Sequence, residues 1–251
     1  MYNQFVGDYD KKLNDVFANF KSNGVTDLVL DLRYNPGGSV DTAINLGSMV
    51  TGQFEDKPYV QFLYNNKLKS ENEKLNFKTE IVKGSHINSL KLSEIYIIAT
   101  KLSASASEMT INGLRAYINV HHIGTKTVGK YTASITIYDS KDGRKSGVNP
   151  THKYAIQPII LKVANADGRT DFDDGLYPDI PLKEDFSHMG VLGDESEPLL
   201  AKAIEQITGR RSPVTYASAH TKPYFAEVFS SVNELELLPN EMYINKPIPN
   251  D

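Results

Sequence analysis

The sequence predicts an α/β fold built of βαβ units, and three observations carry that prediction. Leu28-Val29-Leu30-Asp31-Leu32 is a short, nearly continuous apolar run, the pattern of a strand buried in a parallel sheet. It breaks at Asn35-Pro36-Gly37-Gly38 and gives way to a helical pattern from about Val40 to Val50. Glu94-Ile95-Tyr96-Ile97-Ile98-Ala99-Thr100 repeats the arrangement: a buried strand, then Ser103-Ala104-Ser105-Ala106-Ser107-Glu108, then a helix to about Ile118.

The remaining elements follow in chain order. Leu13, Val16, Phe17 and Phe20 recur at helical spacing, and Asn23-Gly24 supplies a stop because both residues tolerate a left-handed backbone. Residues 65–91 are polar and lysine-rich and read as a hairpin or irregular excursion. Val120–Ile123 returns as a strand. Ile135–Tyr138 and Tyr154–Val163 read as longer strands around a polar turn at Lys141-Asp142-Gly143-Arg144. Pro198–Ile207 is a helix with Leu200, Ala203, Ile204 and Ile207 on one face, closed by Gly209. Beyond Arg210-Arg211-Ser212-Pro213 the composition shifts to serine, proline and aromatics with little periodicity.

Composition narrows the function classes. The chain has 251 residues, 40% hydrophobic and 23% charged, enough to bury a sizeable core. Its 27 basic and 31 acidic residues leave a net charge of −4, which gives no support to a nucleic-acid or anionic-membrane partner. No apolar run reaches the roughly 18 residues a membrane helix needs. With no cysteine, thiol catalysis, disulfides and cysteine-ligated metal are excluded. The histidines show no metal-binding spacing, and Met1-Tyr2-Asn3-Gln4-Phe5 does not begin a secretion signal.

Three features could carry chemistry. Gly37-Gly38 lies where a strand ends and a helix begins, so its N–H groups could receive an anion, although an ordinary tight turn would look the same. One serine of the Ser103/Ser105/Ser107 cluster could be a nucleophile at a helix start, or merely a cap, with Glu108 suited to a capping box. Lys130 follows a glycine and could act as a base only if its surroundings favoured the neutral amine. His121 and His122 alternate on a strand, one in and one out. Asp171, Asp173 and Asp174 lack the spacing of a calcium loop.

Taken together, Leu30-Asp31-Leu32-Arg33-Tyr34-Asn35-Pro36-Gly37-Gly38, Ser103–Glu108, Thr127-Val128-Gly129-Lys130 and Gly175-Leu176-Tyr177-Pro178-Asp179 resemble, in order, the motifs of the carboxyl-terminal processing (tail-specific) proteases of the S41 serine peptidase family. The resemblance runs from about Leu13 to Ile207. It implies a crotonase/ClpP-like core with a mixed sheet, and a nucleophile at the middle serine, Ser105. The base would be Lys130, 25 positions further on, as in the family. The amides of Gly37, Gly38 and Ala106 would hold the oxyanion. Glu108 and Thr127 match supporting positions. It implies protein or peptide substrates with flexible apolar carboxyl-terminal tails, and neither metal nor cofactor.

Two departures stand out. Ser134 occupies the position where many members carry a glutamine that orients the lysine, and Ala116 stands where some carry an aspartate. The family's PDZ domain would precede the first helix, so the resemblance implies a piece of a longer, exported protein of the periplasm or cell envelope. The expected organisation is a protease core over residues 1–209 and an extension over 210–251. Tyr224, Phe225, Phe229 and Leu235–Leu238 would pack that extension on the core. Two alternatives remain in view: a peptide-binding relative without turnover, and an acyl-CoA enzyme of the crotonase type, which would not need the serine–lysine pair.

Overall fold

The computed structural model describes residues 1–210 and 242–244. After a 3₁₀ turn at Gly7–Tyr9 the elements run α1 (Asp10–Ser22), β1 (Val29–Asp31), α2 (Val40–Thr51), β2 (Pro58–Tyr64), β3 (Glu73–Asn76), β4 (Glu94–Ala99) and α3 (Ala106–Arg115). They continue as β5 (Asn119–Gly124), β6 (Thr132–Ser134), β7 (Ile137–Tyr138), β8 (Ala155–Ile156), β9 (Ile159–Asn165), β10 (Ile180–Pro181) and α4 (Pro198–Thr208). Parallel and antiparallel pairing are both present, divided between two sheets. One is parallel throughout, in the order β1-β4-β5-β10; the other is antiparallel, in the order β3-β2-β9-β6. A separate short ladder joins β7 to β8.

The two βαβ units read from the sequence form the centre. β4 and β5 run side by side in register from Glu94–Asn119 to Ala99–Gly124, with α3 as their crossover. α2 is buried at every position but Asp41, its polar Thr42, Asn45, Ser48 and Thr51 included, as a helix between layers must be. Its Gly47 leaves room for the buried ring of Tyr59 from β2, because a Cβ there would lie 2.5 Å from the ring. The core unites Leu32, Ile44, Leu46, Met49, Phe62, Ile95, Ile97 and Ile111, each within 1% of full burial.

Several sequence readings shift. In α1, Val16 is 45% exposed although it lies in the apolar stripe. The inner face belongs to Asp10, Asn14 and Phe17, because Asn14 bonds the backbone of His86 and Asn88 and Asp10 bonds Asn45. β2 was not among the predicted elements, although Tyr59-Val60-Gln61-Phe62 carries the aromatic and β-branched content of a strand. The polar excursion over 65–91 contains β3, paired antiparallel with β2. The strand expected over Tyr154–Val163 is broken into β8 and β9 around Pro158, which has no N–H to give a ladder. The α4 helix ends as predicted, with Gly209 left-handed at φ +66°. Of the extension, Arg210 and Met242–Ile244 are described; Tyr224, Phe225, Phe229 and Leu235–Leu238 lie outside the described residues.

Candidate active site

The site forms at the carboxyl ends of β1 and β4, where an open parallel sheet offers its loops. The segment after β1 is fixed first. Asn35 donates from Nδ2 to the Tyr2 carbonyl at 2.9 Å, and its Oδ1 accepts the Gly37 N–H at 2.9 Å. Gly37 and Gly38 then turn with φ +114° and +129°, values a side chain would oppose. A Cβ on Gly37 would stand 2.7 Å from the Ser105 Cβ, and one on Gly38 would stand 2.3 Å from the Phe5 carbonyl oxygen. The glycines are therefore required both by the turn and by its close approach to the serine loop.

Three hydroxyls bolt the loop after β4 onto this turn. Thr100 Oγ1 donates to the Arg33 carbonyl, Ser103 Oγ to the Leu32 carbonyl at 2.8 Å, and Ser107 Oγ to the Asn35 carbonyl at 2.9 Å. Ser103 and Ser107 are thus committed to backbone. Ser105, between them, is not: its hydroxyl is fully buried and has no hydrogen-bond partner among the described residues. It sits at the start of α3 with φ +63° and ψ −115°, a sparsely populated conformation that persists only where the surroundings enforce it. The Ala106 N–H, in the helix's first turn, and the Gly38 N–H have no acceptor among the described residues. The Gly37 N–H is already held by Asn35, so of the two glycines expected to donate, Gly38 alone has its amide available.

Glu108 joins this loop to the lysine. Its Oε2 accepts the N–H groups of Ser105 and Lys130, each at 2.8 Å. Its Oε1 accepts the Thr127 hydroxyl at 2.5 Å and the Gly129 N–H at 2.6 Å. Burial raises the pKa of this fully enclosed carboxyl above its ordinary value, and the four donors pull it back only in part. Thr127 Oγ1 also accepts the Leu176 N–H at 2.8 Å, so Gly175–Asp179 buttresses the lysine loop. Lys130 is half-buried just before β6.

Ser134, where a glutamine was expected, is fully buried. Its N–H and hydroxyl both donate to the Met242 carbonyl, at 3.0 and 3.2 Å. Ala116, the second departure, caps the end of α3. His122 is buried with Nε2 3.2 Å from the Ala99 carbonyl, whereas His121 pairs with Glu94 at 2.8 Å at the surface. Asp171 pairs with Arg169, and Asp174 with Lys126 and Tyr177.

The sequence reading missed a buried ionic cluster beneath the turn. Arg33, 1% exposed, holds Glu197 with two bonds of 2.8 Å and also reaches Asp31 and Glu184. Burial opposes its charge, and the Glu197 and Asp31 carboxylates outweigh that opposition. An arginine directly after a largely apolar strand was the available signal, since an arginine buried there needs carboxylate partners.

Comparison with known proteins identifies the family. The chain is 29% identical over 182 residues to a probable CtpA-like serine protease of Staphylococcus aureus, and 27% identical over 180 residues to that of Staphylococcus haemolyticus. Each alignment covers 72% of this chain and 32% of the relative, so the chain spans about a third of the length of these curated proteins. Among solved structures, a putative S41 protease from Bacteroides fragilis superposes with a TM-score of 0.73 at 30% identity, over 83% of this chain and 53% of that one. A photosystem II D1 carboxyl-terminal processing protease shares the fold, with a TM-score of 0.52 at 19% identity over 72% of this chain and 40% of that one. The profile of peptidase family S41 matches residues 1–182, and with the serine loop, the glycine turn and the lysine loop held together in one site, the chain belongs to that family.

Proposed function

We propose that the chain is the catalytic portion of an endopeptidase in which Ser105 is the nucleophile and Lys130 its base. The observation that carries this reading is the contrast among the three serines. The flanking hydroxyls are spent on backbone carbonyls, while Ser105 alone is uncommitted, on a strained backbone against the glycine turn. Neutral Lys130 takes the Ser105 hydroxyl proton as Oγ attacks a peptide carbonyl. The Gly38 and Ala106 N–H groups receive the oxyanion; loss of one such donor typically costs about 10²–10³ in rate. The lysine returns the proton to the leaving amine. A water then gives its proton to the lysine and attacks the acyl-enzyme, and the lysine passes that proton to Ser105 Oγ as the ester bond breaks and the new carboxyl end leaves. Glu108 positions rather than reacts, since it bonds the backbones of nucleophile and base, and Thr127 holds Glu108 in place. Substrates would be flexible, apolar carboxyl-terminal segments of proteins, and the parent protein would act in the periplasm or cell envelope.

A peptide-binding relative without turnover is the second reading, favoured by one observation: no contact joins Ser105 Oγ to a base among the described residues. Hydrolysis of an unfolded protein at mildly alkaline pH separates the two. The peptidase reading expects cleavage by the parent and its loss, by at least about 10³-fold, in both Ser105→Ala and Lys130→Ala. Cleavage that survives either substitution would reject the dyad. An inert parent that also fails to react with a fluorophosphonate at Ser105 would favour the binding module.

A further inference from the structure

Residues Met242–Ile244 lie beside the catalytic loops as a strand in a slot. On one side Tyr243 pairs parallel with Ser39: its N–H donates to the Gly38 carbonyl at 3.4 Å, and its carbonyl accepts the Val40 N–H at 3.3 Å. On the other side Tyr243 pairs parallel with Ser134. The Ser134 N–H reaches the Met242 carbonyl at 3.0 Å, and the Ile244 N–H reaches the Ser134 carbonyl at 3.1 Å. The slot is therefore walled by Gly38, whose amide has no acceptor among the described residues, and by Ser134, four positions past Lys130. Met242 and Ile244 drop into the core at 0% and 7% exposure.

We propose that this slot is the site for an extended substrate strand and that the chain's own Met242–Ile244 fills it in cis, keeping the nucleophile closed until the segment leaves. Three features favour an exchangeable occupant over a fixed strand. Ser105 is fully buried while the segment is paired with Gly38–Val40, the stretch that directly follows the glycine packed against the serine. Beside the two buried side chains, the occupant is bonded on both edges through main chain, a pairing any extended peptide can imitate by strand addition. The bonds on the Gly38–Val40 side, 3.3 and 3.4 Å, lie beyond the usual 2.7–3.2 Å range, so the catalytic wall is the weaker one. The chemistry of the partner follows from the occupant: an extended peptide with apolar side chains two residues apart, as Met242 and Ile244 are.

This inference rests on the peptidase reading, so its test uses a readout that needs no turnover. A fluorescent peptide of residues 240–246 is titrated into full-length Ser105→Ala, with and without Met242→Asp and Ile244→Asp. A tethered segment competes at an effective concentration on the order of millimolar, so for a peptide of Kd on the order of 0.1 mM the opened chain should bind about tenfold more tightly. Fluorophosphonate labelling of Ser105, in chains that keep the serine, should speed up in parallel. Equal peptide binding in the two chains would overturn the inference even where hydrolysis upholds the peptidase. Tighter binding without any labelling would uphold the slot and sink the peptidase. If the double substitution abolishes cooperative unfolding, Ile244→Ala, which trims one buried side chain and keeps the main-chain bonds, repeats the comparison in a gentler form. Unfolding of that variant too would make the segment a structural brace and overturn the inference.

Discussion

The two sheets of this protein are held together by different means. Around the parallel sheet, the loops at the strand ends are cross-bonded by buried polar groups: Thr100, Ser103 and Ser107 to the segment after β1, and Arg33 to Glu197, Asp31 and Glu184. The antiparallel sheet has register shifts in both the β2–β3 and β6–β9 pairings, and the β7–β8 ladder beside it is only two residues long. Glu108 ties the β6 side to the serine loop through the backbones of Gly129 and Lys130. On the proposed reading the difference is a division of labour: a nucleophilic serine would need a backbone fixed from several directions, whereas a surface that received a peptide strand would need an edge able to exchange partners.

The largest effect expected from breaking the fixed side is at Arg33. Arg33→Ala would strand Glu197 and leave Asp31 and Glu184 without their cation, beneath the turn that positions Gly38. Removing one partner of a buried ion cluster costs about 3–5 kcal/mol, chiefly because the remaining charges stay desolvated. Urea denaturation should show that loss, with a lower midpoint at unchanged slope. A loss below about 1 kcal/mol, the range of an exposed ion pair, would mean the cluster does not brace the turn.

A smaller effect is expected at His122, on β5 of the same sheet. Burial is the main cause holding its imidazole below the ordinary 6.5; Arg115 adds to the lowering, while the Ala99 carbonyl and Asp179 oppose it. The folded state thus resists a proton that the unfolded chain accepts. The stabilisation is present above about pH 6.5 and is lost as pH falls through the lower folded value. Glu108 and Asp10, both raised chiefly by burial, act with the opposite sign: what they contribute is present below their unfolded values and is lost as pH rises through the folded ones. Comparing the parent with His122→Asn cancels those carboxyls. Melting temperature measured from pH 7 down to pH 5 should fall less steeply in the variant, and identical slopes would reject a buried neutral histidine.

The same contrast explains what could be read in the sequence. The parallel side was legible because strands inside a parallel sheet leave nearly continuous apolar runs, as at Leu28–Leu32 and Ile95–Ala99, and because Gly37-Gly38 and the serine cluster follow them where loops must turn. Single positions could not be separated there. That Ser103 and Ser107 serve as bolts, and that Gly37 spends its amide on Asn35, depends on where carbonyls from another loop fall. The antiparallel side left weaker marks. β2 begins at a proline and β9 follows one, and bulges blur the alternation of inward and outward residues. The strand at Met242–Ile244 was hardest to foresee. Three residues carry no period, and their pairing with Ser39 and Ser134 spans most of the chain.

The smallest expected effect lies at β7–β8, and its smallness is the point of measuring it. Ile156 is 64% exposed, and its neighbours Tyr154 and Ile159 are 82% and 57% exposed, so little apolar area is lost from water when the ladder forms. Surface changes of this kind usually fall within about 0.5 kcal/mol, so Ile156→Thr should leave the urea midpoint almost unmoved. Hydrogen exchange gives the complementary reading. Amides of Ile95–Ala99 and Val120–Ile123, in the six-pair β4–β5 register, should exchange only through global unfolding, and those of β7 and β8 through local opening at far lower free energy. If Ile156→Thr cost as much as a buried substitution, or if β7 exchanged as slowly as β4, the antiparallel side would be as rigidly fixed as the parallel one. An edge that exchanges its strand would then have no physical basis in this fold.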